Sequence, residues 1–94
     1  MIGHGFMGGA HSQAWRGAPR FFHLPADPVM SVLVGRDPSA TAQAAHHWGW
    51  HPTATNWREV IALDDIDVID IVTPGDTDAE IAIAGLNAGK NVLC

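Results

Sequence analysis

Gly3-His4-Gly5-Phe6-Met7-Gly8 puts three glycines into six residues, straight after the apolar pair Met1-Ile2 and straight before a stretch able to form a helix. This G-x-G-x-x-G constrains the fold more than any other feature. In a strand–turn–helix setting the first glycine permits a tight turn, the second lets another group approach the backbone, and the third lets helix and strand pack closely. The N–H groups that open the helix have no intrahelical partners, and the helix dipole stands behind them. Such a turn can bind a phosphate or pyrophosphate without any lysine.

The rest of the chain alternates strand and helix patterns, the order that builds a parallel sheet covered by helices. Met1-Ile2 read as the end of a strand, and a helix is expected over residues 8–16. Residues 17–28 hold Pro19, Pro25 and Pro28 and read as a loop. The apolar run at 30–34 predicts a buried strand. Asp37 and Pro38 have the residue types of an N-cap and first helical position, for a helix reaching Trp48 and stopping at Gly49. A short edge strand is expected within 50–55, because Pro52 suits no central strand. Asn56 with Glu59 suggests a capped helix to about Leu63. Residues 68–72 form a second buried strand. Thr77 with Glu80 suggests another capped helix over 78–88, closed by Gly89, and 91–94 begin a further strand.

The expected fold is therefore α/β, a Rossmann-type doubly wound parallel sheet in one domain over residues 1–94. It reads as truncated at both ends, with most of a central first strand missing. That loss predicts unpaired backbone groups or a gap in the sheet.

Composition narrows the partners. The net charge is −5, with only five lysines and arginines, so no basic patch offers itself to nucleic acid. No apolar run reaches the roughly 20 residues that span a bilayer, and no basic lead into an apolar block marks a secretory signal. The one cysteine, Cys94, allows no internal disulfide, and the expected location is cytoplasmic.

Gly3, Gly5, Phe6, Met7 and Gly8 are thus candidates for holding the pyrophosphate of a dinucleotide. The end of the following strand is the second diagnostic place. An acid there pairs with ribose hydroxyls in NAD binders, and an arginine accommodates the extra phosphate of NADP. Gly35-Arg36-Asp37 offers both, so NAD or NADP remains open, with a lean to NADP on Arg36. Asp37 lies 29 residues after Gly8 rather than roughly 20, and it can equally serve as a helix cap. His46, His47 and His51 invite a metal reading. Gly49 and Pro52 break the helix that would align them, and no cysteine or carboxylate joins them, so no metal site is expected. Trp48, Trp50 and Trp57 suit packing better than substrate stacking. Asp70, mid-strand, requires a partner or a solvent-facing position.

In this order the segments resemble the glucose-fructose oxidoreductase / inositol dehydrogenase / MocA (Gfo/Idh/MocA) family. The resemblance rests on the glycine turn followed by His11, Val34-Gly35-Arg36-Asp37 and Trp57-Arg58-Glu59-Val60. It continues through Asp67-Val68-Ile69-Asp70-Ile71-Val72-Thr73-Pro74, Ala79-Glu80-Ile81-Ala82 and Ala88-Gly89-Lys90-Asn91-Val92-Leu93-Cys94. It implies hydride transfer between NAD(P) and a sugar, polyol or related alcohol, with Thr73 and Pro74 against the cofactor. It also implies a family pattern that continues past Cys94 into a Glu-Lys-Pro segment whose lysine serves in proton transfer, then a substrate domain. No catalytic residue is therefore expected within these 94 residues. The family often has histidine where this chain has Asp78. A homo-oligomer is an open form of assembly. Two rival readings stay open as well: a non-catalytic dinucleotide-binding module and an inactive gene fragment.

Overall fold

The computed structural model describes all residues from Met1 to Cys94. Four helices and four short strands alternate: α1 (Phe6–Phe21), β1 (Leu33–Val34), α2 (Pro38–Trp48), β2 (Thr53–Ala54), α3 (Trp57–Ile61), β3 (Val68–Asp70), α4 (Gly75–Asn87) and β4 (Asn91–Leu93). β1 pairs with β2 and β3 with β4, both in parallel. Ile2 joins the two ladders through parallel bridges to Val34 and Ile71. The order across the sheet is thus β2, β1, Ile2, β3, β4, and the Rossmann-type expectation holds.

Period-two alternation along the strands sends side chains to two separate cores. Ile2, Val34, Ile69 and Ile71 pack with Val60, Ile61, Ile66 and Ile81 on the face covered by α3 and α4. Met1 and Leu33 pack with Ala45 and Trp50 on the other face, beside Trp15 of α1 and Trp48 of α2. The sheet is therefore covered on both sides. No helix is long and apolar enough to cross a membrane.

Met1 and Ile2 occupy the central position expected of the first strand. Ile2 N–H donates to Asp70 O (2.8 Å), Val72 N–H to Ile2 O (2.9 Å) and Val34 N–H to Met1 O (2.9 Å). The α-amine of Met1 donates to Val32 O at 2.8 Å. Burial pushes this amine down to about 6, outweighing the opposing pull of the Asp70 charge. Beside it lies a cavity of about 420 Å³, lined by Met1, Val32, Val68 and Ile69 among others.

Several boundaries differ from expectation. α1 begins at Phe6, because Gly5 already serves as its N-cap, and it continues through Pro19 to Phe21. A proline removes one helical hydrogen bond and crowds the preceding turn. So close to the C-terminus it does not stop the helix, and Phe22 N–H still reaches Ala18 O at 3.0 Å. β1 covers only Leu33–Val34 of the expected 30–34, since β2 starts after Pro52, which has no N–H to give to a longer ladder. α4 starts at Gly75 instead of 78 and is preceded by Pro74, not capped by Thr77. The Thr77 hydroxyl donates elsewhere, to Thr73 Oγ1 (2.9 Å) and Pro74 O (3.0 Å). Glu80 pairs with Arg58 of α3 instead of closing a capping box.

Asp70 has the partners its position demands. Ile69 and Ile71 face α3 and α4, so Asp70 points at α1, where it is 3% exposed. Its carboxylate lies 2.9 and 3.0 Å from His11 Nδ1 and accepts from Trp15 Nε1 at 2.7 Å. One acid thus ties the sheet to successive turns of α1. Replacing Asp70 by alanine leaves two ring N–H groups without their acceptor in a largely dry place. The expected loss is about 2–4 kcal/mol. For a chain of this size that is at least about 10 °C in melting temperature. Thermal unfolding followed by circular dichroism checks it, and a change under 3 °C contradicts the assignment.

Candidate functional site

The carboxyl ends of β1, Ile2 and β3 open onto a cavity of about 950 Å³, lined by the glycine turn, Gly35, Arg36, Thr55–Arg58, Val72–Pro74, Asp76 and Thr77 among others. Crevices beyond the strand ends, where the strand order reverses, are where open α/β sheets bind ligands. Here the reversal falls at Ile2, between β1 and β3.

Each glycine of the turn has its own constraint. Gly3 has φ +97°, and a Cβ there would lie 2.9 Å from Val72 O, so any side chain collides with the sheet backbone. Gly5, the N-cap of α1, makes no side-chain cap, and a Cβ there would meet nothing within 4 Å. Gly8 is buried, and a Cβ there would sit 3.4 Å from Gly3 O, Met1 Cε and Trp48 Cζ3. Tight turn, open approach and close packing thus fall on the first, second and third glycine, as the motif requires. The first turn of α1 carries no acidic residue. Its free amides face an opening with room for a phosphate, so the chain fits the diphosphate of a dinucleotide.

His4, the turn's second residue, is held from the side. Its Nε2 is 3.2 Å from Thr41 Oγ1, which donates to Asp37 O at 2.7 Å. A Cβ on Gly35 would come within 2.2 Å of Thr41 Oγ1 and 2.6 Å of His4. Gly35 therefore lets the glycine turn and α2 meet across the end of β1.

The remaining candidates divide. Phe6, Met7, Arg36, Thr73 and Pro74 line the cavity with Gly3 and Gly5, while Gly8 is packed beneath it. Asp37 is not among the lining residues. One of its oxygens accepts from Ser39 N–H (3.0 Å) and Ala40 N–H (3.4 Å), which makes it the cap of α2. Phe6 is 90% exposed. Sequence reasoning singled out no ligand role for Thr55, Asn56 or Arg58, which also line the cavity. The signal was the position of β2 next to β1, since its carboxyl end must then reach the same crevice. Arg58 stacks 4.2 Å from the Trp57 ring and pairs with Glu80, fastening α3 to α4 along this rim.

At the β3 end, Thr73 Oγ1 donates to Asp78 Oδ1 at 2.9 Å and accepts from Thr77 Oγ1 at 2.9 Å. Cys94 is exposed at the same end. Its thiol is pushed up, first by local desolvation and then by the charge and hydrogen bond of Asp78.

A parallel sheet covered on both faces, with a glycine turn at its switch point and an uncapped helix beyond, defines a dinucleotide-binding Rossmann domain. A sequence model described as "Oxidoreductase family, NAD-binding Rossmann fold" (GFO_IDH_MocA) matches residues 1–94, and the chain belongs to that family. It is 45% identical over 95 residues to a levoglucosan dehydrogenase from Pseudarthrobacter phenanthrenivorans, covering 100% of this chain and 24% of that protein. The structure matches that of an oxidoreductase domain protein from Kribbella flavida with TM-score 0.95 and 58% identity, covering 99% of this chain and 25% of that one. It also matches a levoglucosan dehydrogenase in complex with NADH and levoglucosan, with TM-score 0.95 and 46% identity over 99% and 25% of the two chains. The chain thus spans about a quarter of the length of these relatives.

The glycine geometry separates two substitutions. Gly3→Ala is expected to destabilise the fold by at least about 2 kcal/mol, from the left-handed backbone and the contact with Val72 O. Gly5→Val should change stability by no more than about 1 kcal/mol. It should nonetheless weaken NADH binding at least tenfold, because its side chain fills the diphosphate approach. Urea unfolding and calorimetric titration read the two effects, and a Gly5→Val chain with undiminished binding contradicts the site.

Proposed function

We propose that this chain is the coenzyme-binding part of an oxidoreductase that moves a hydride between NAD(H) and a sugar, polyol or related alcohol. The observation that carries this reading is the glycine turn, with open space at Gly5 over the uncapped start of α1. In such enzymes the nicotinamide supplies the hydride chemistry, and the protein supplies binding and orientation. Here the α1 amides hold the diphosphate, Arg36 and the Thr55–Arg58 segment flank the adenosine half, and Thr73 and Pro74 flank the nicotinamide half. The complexes of levoglucosan dehydrogenase with NADH and levoglucosan, and with NADH and L-sorbose, support the substrate class. The 94 residues are expected to bind the coenzyme. A cytoplasmic setting suits the single, exposed, unpaired cysteine.

NADH titration tests the reading directly. Trp57 borders the cavity, and Trp48 packs beneath Gly8 and Gly9. Binding is expected to quench tryptophan emission saturably. A folded sample with no saturable response overturns the proposal.

Arg36 favours a second coenzyme form. It lines the cavity, whereas Asp37 turns one carboxylate oxygen into its own helix. The 2′-phosphate of NADPH would therefore meet a guanidinium. Arg36→Ala is expected to weaken NADPH binding by about tenfold and NADH binding by about twofold at most. Equal losses for the two would remove Arg36 from the ribose edge.

A further inference from the structure

We propose that Thr73 is a specificity-determining residue that reads the carboxamide of the nicotinamide as a hydrogen-bond donor, with Asp78 and Thr77 fixing its hydroxyl so that it can only accept. The inference rests on the coenzyme-binding reading above and assigns a role to one atom within it.

The argument is an account of lone pairs and protons. A threonine hydroxyl has one proton and two acceptor positions. The proton of Thr73 Oγ1 goes to Asp78 Oδ1 at 2.9 Å, and an ionised carboxylate can only accept. One acceptor position takes the proton of Thr77 Oγ1 at 2.9 Å. If Thr77 turns its proton instead to Pro74 O, 3.0 Å away, Thr73 gains a free acceptor position but still has no proton to give. In either arrangement the group that Thr73 offers is an acceptor.

Thr73 lines the cavity at the end of β3. In this fold the adenosine ribose meets the end of the strand that follows the glycine turn, here β1 with Arg36. The diphosphate lies over the start of α1, so the other half of the dinucleotide extends across Ile2 to the β3 end. That half carries a carboxamide, whose –NH₂ supplies two donors. A carboxylate in the same place supplies none, and it would face a fixed acceptor backed by the Asp78 charge. The cluster therefore selects nicotinamide over nicotinic acid, and it selects the rotamer of the amide that turns its –NH₂ toward β3. Asp78 is the positioning residue. It acts through Thr73 and leaves the hydroxyl no proton for a ligand.

The test uses the 94-residue chain and three probes: NAD⁺, nicotinic acid adenine dinucleotide, and ADP-ribose, which lacks the ring. Calorimetric titration of the unaltered chain should show NAD⁺ bound at least about tenfold more tightly than the nicotinic acid form. Thr73→Val should lower that preference about fivefold, with the loss falling on NAD⁺ and not equally on ADP-ribose. Thr73→Ser should restore it, since serine keeps the hydroxyl. Asp78→Ala should lower it as well, because the freed proton can then donate to a carboxylate. ADP-ribose affinity reports that each variant is folded. The assignment is overturned if Thr73→Val keeps the full preference. It is also overturned if that variant loses all three ligands equally, which would place the hydroxyl on ribose. If ADP-ribose binds while the two dinucleotides are not distinguished, this inference falls and the coenzyme-binding reading stands. If the folded chain binds none of the three, both fall.

Discussion

The passage of the backbone at Gly3 beneath the carbonyl of Val72 is the constraint on which the site depends. Gly3 N–H donates to Val34 O at 2.9 Å, while Val72 N–H donates to Ile2 O at 2.9 Å. Two adjacent residues therefore pin both ladders of the sheet. The left-handed turn at Gly3 then sends the chain off the sheet, so that α1 starts three residues later. The glycine turn is thus coupled to the sheet's central register. A shift of Ile2 would move α1, and with it the amides that face the cavity. Gly8 is buried on the other side of the same turn, where a Cβ would lie 3.4 Å from Gly3 O.

The polar contacts under α1 serve that placement. Trp50 Nε1 donates to Ser12 Oγ at 2.8 Å, and Ser12 Oγ donates to Gly8 O at 2.6 Å. Together with His11 and Trp15 on Asp70, the Trp50 bond holds α1 to β3 and to the segment before β2. Apolar packing alone would permit a helix to slide, because dispersion contacts are numerous and weakly directional. Directional bonds from His11, Ser12 and Trp15, on two successive turns of α1, restrict such sliding.

Much of this was legible in the residues. The order of elements followed from alternating apolar periodicities, and Gly49 and Gly89 marked helix ends because both take positive φ. The tasks of the three glycines followed from their spacing. What was not legible came from competition for the same groups. Thr77 has the residue type of an N-cap, but its hydroxyl is better satisfied by Thr73 and Pro74, so α4 starts earlier. Asp37 has the residue type of an N-cap as well as of a ribose ligand, and the expected cap on α2 is there. Short local bonds decided the start of α4, and sequence spacing cannot rank such bonds against one another. The partners of Asp70 lay 59 and 55 residues away, and no local pattern announces them. The start of α3 beside the cavity likewise depends on which strand β2 pairs with, a long-range fact.

A chain with net charge −5 can still bind a dianion because its charges are distributed unevenly among the helix starts. Asp37 accepts from amides that open α2, and Asn56 does so for α3, whose first turn also holds Glu59. α4 has no side-chain cap, yet Asp76 and Asp78 stand in its first turn and offset its dipole. Only α1 has neither cap nor acid. Of the two uncapped helix starts that flank the crevice, one therefore attracts an anion and the other repels it. An anion is favoured at α1 and disfavoured at the acidic start of α4. The polarity of the site comes from placing carboxylates where an anion must not bind, with no added positive charge at the place where it does.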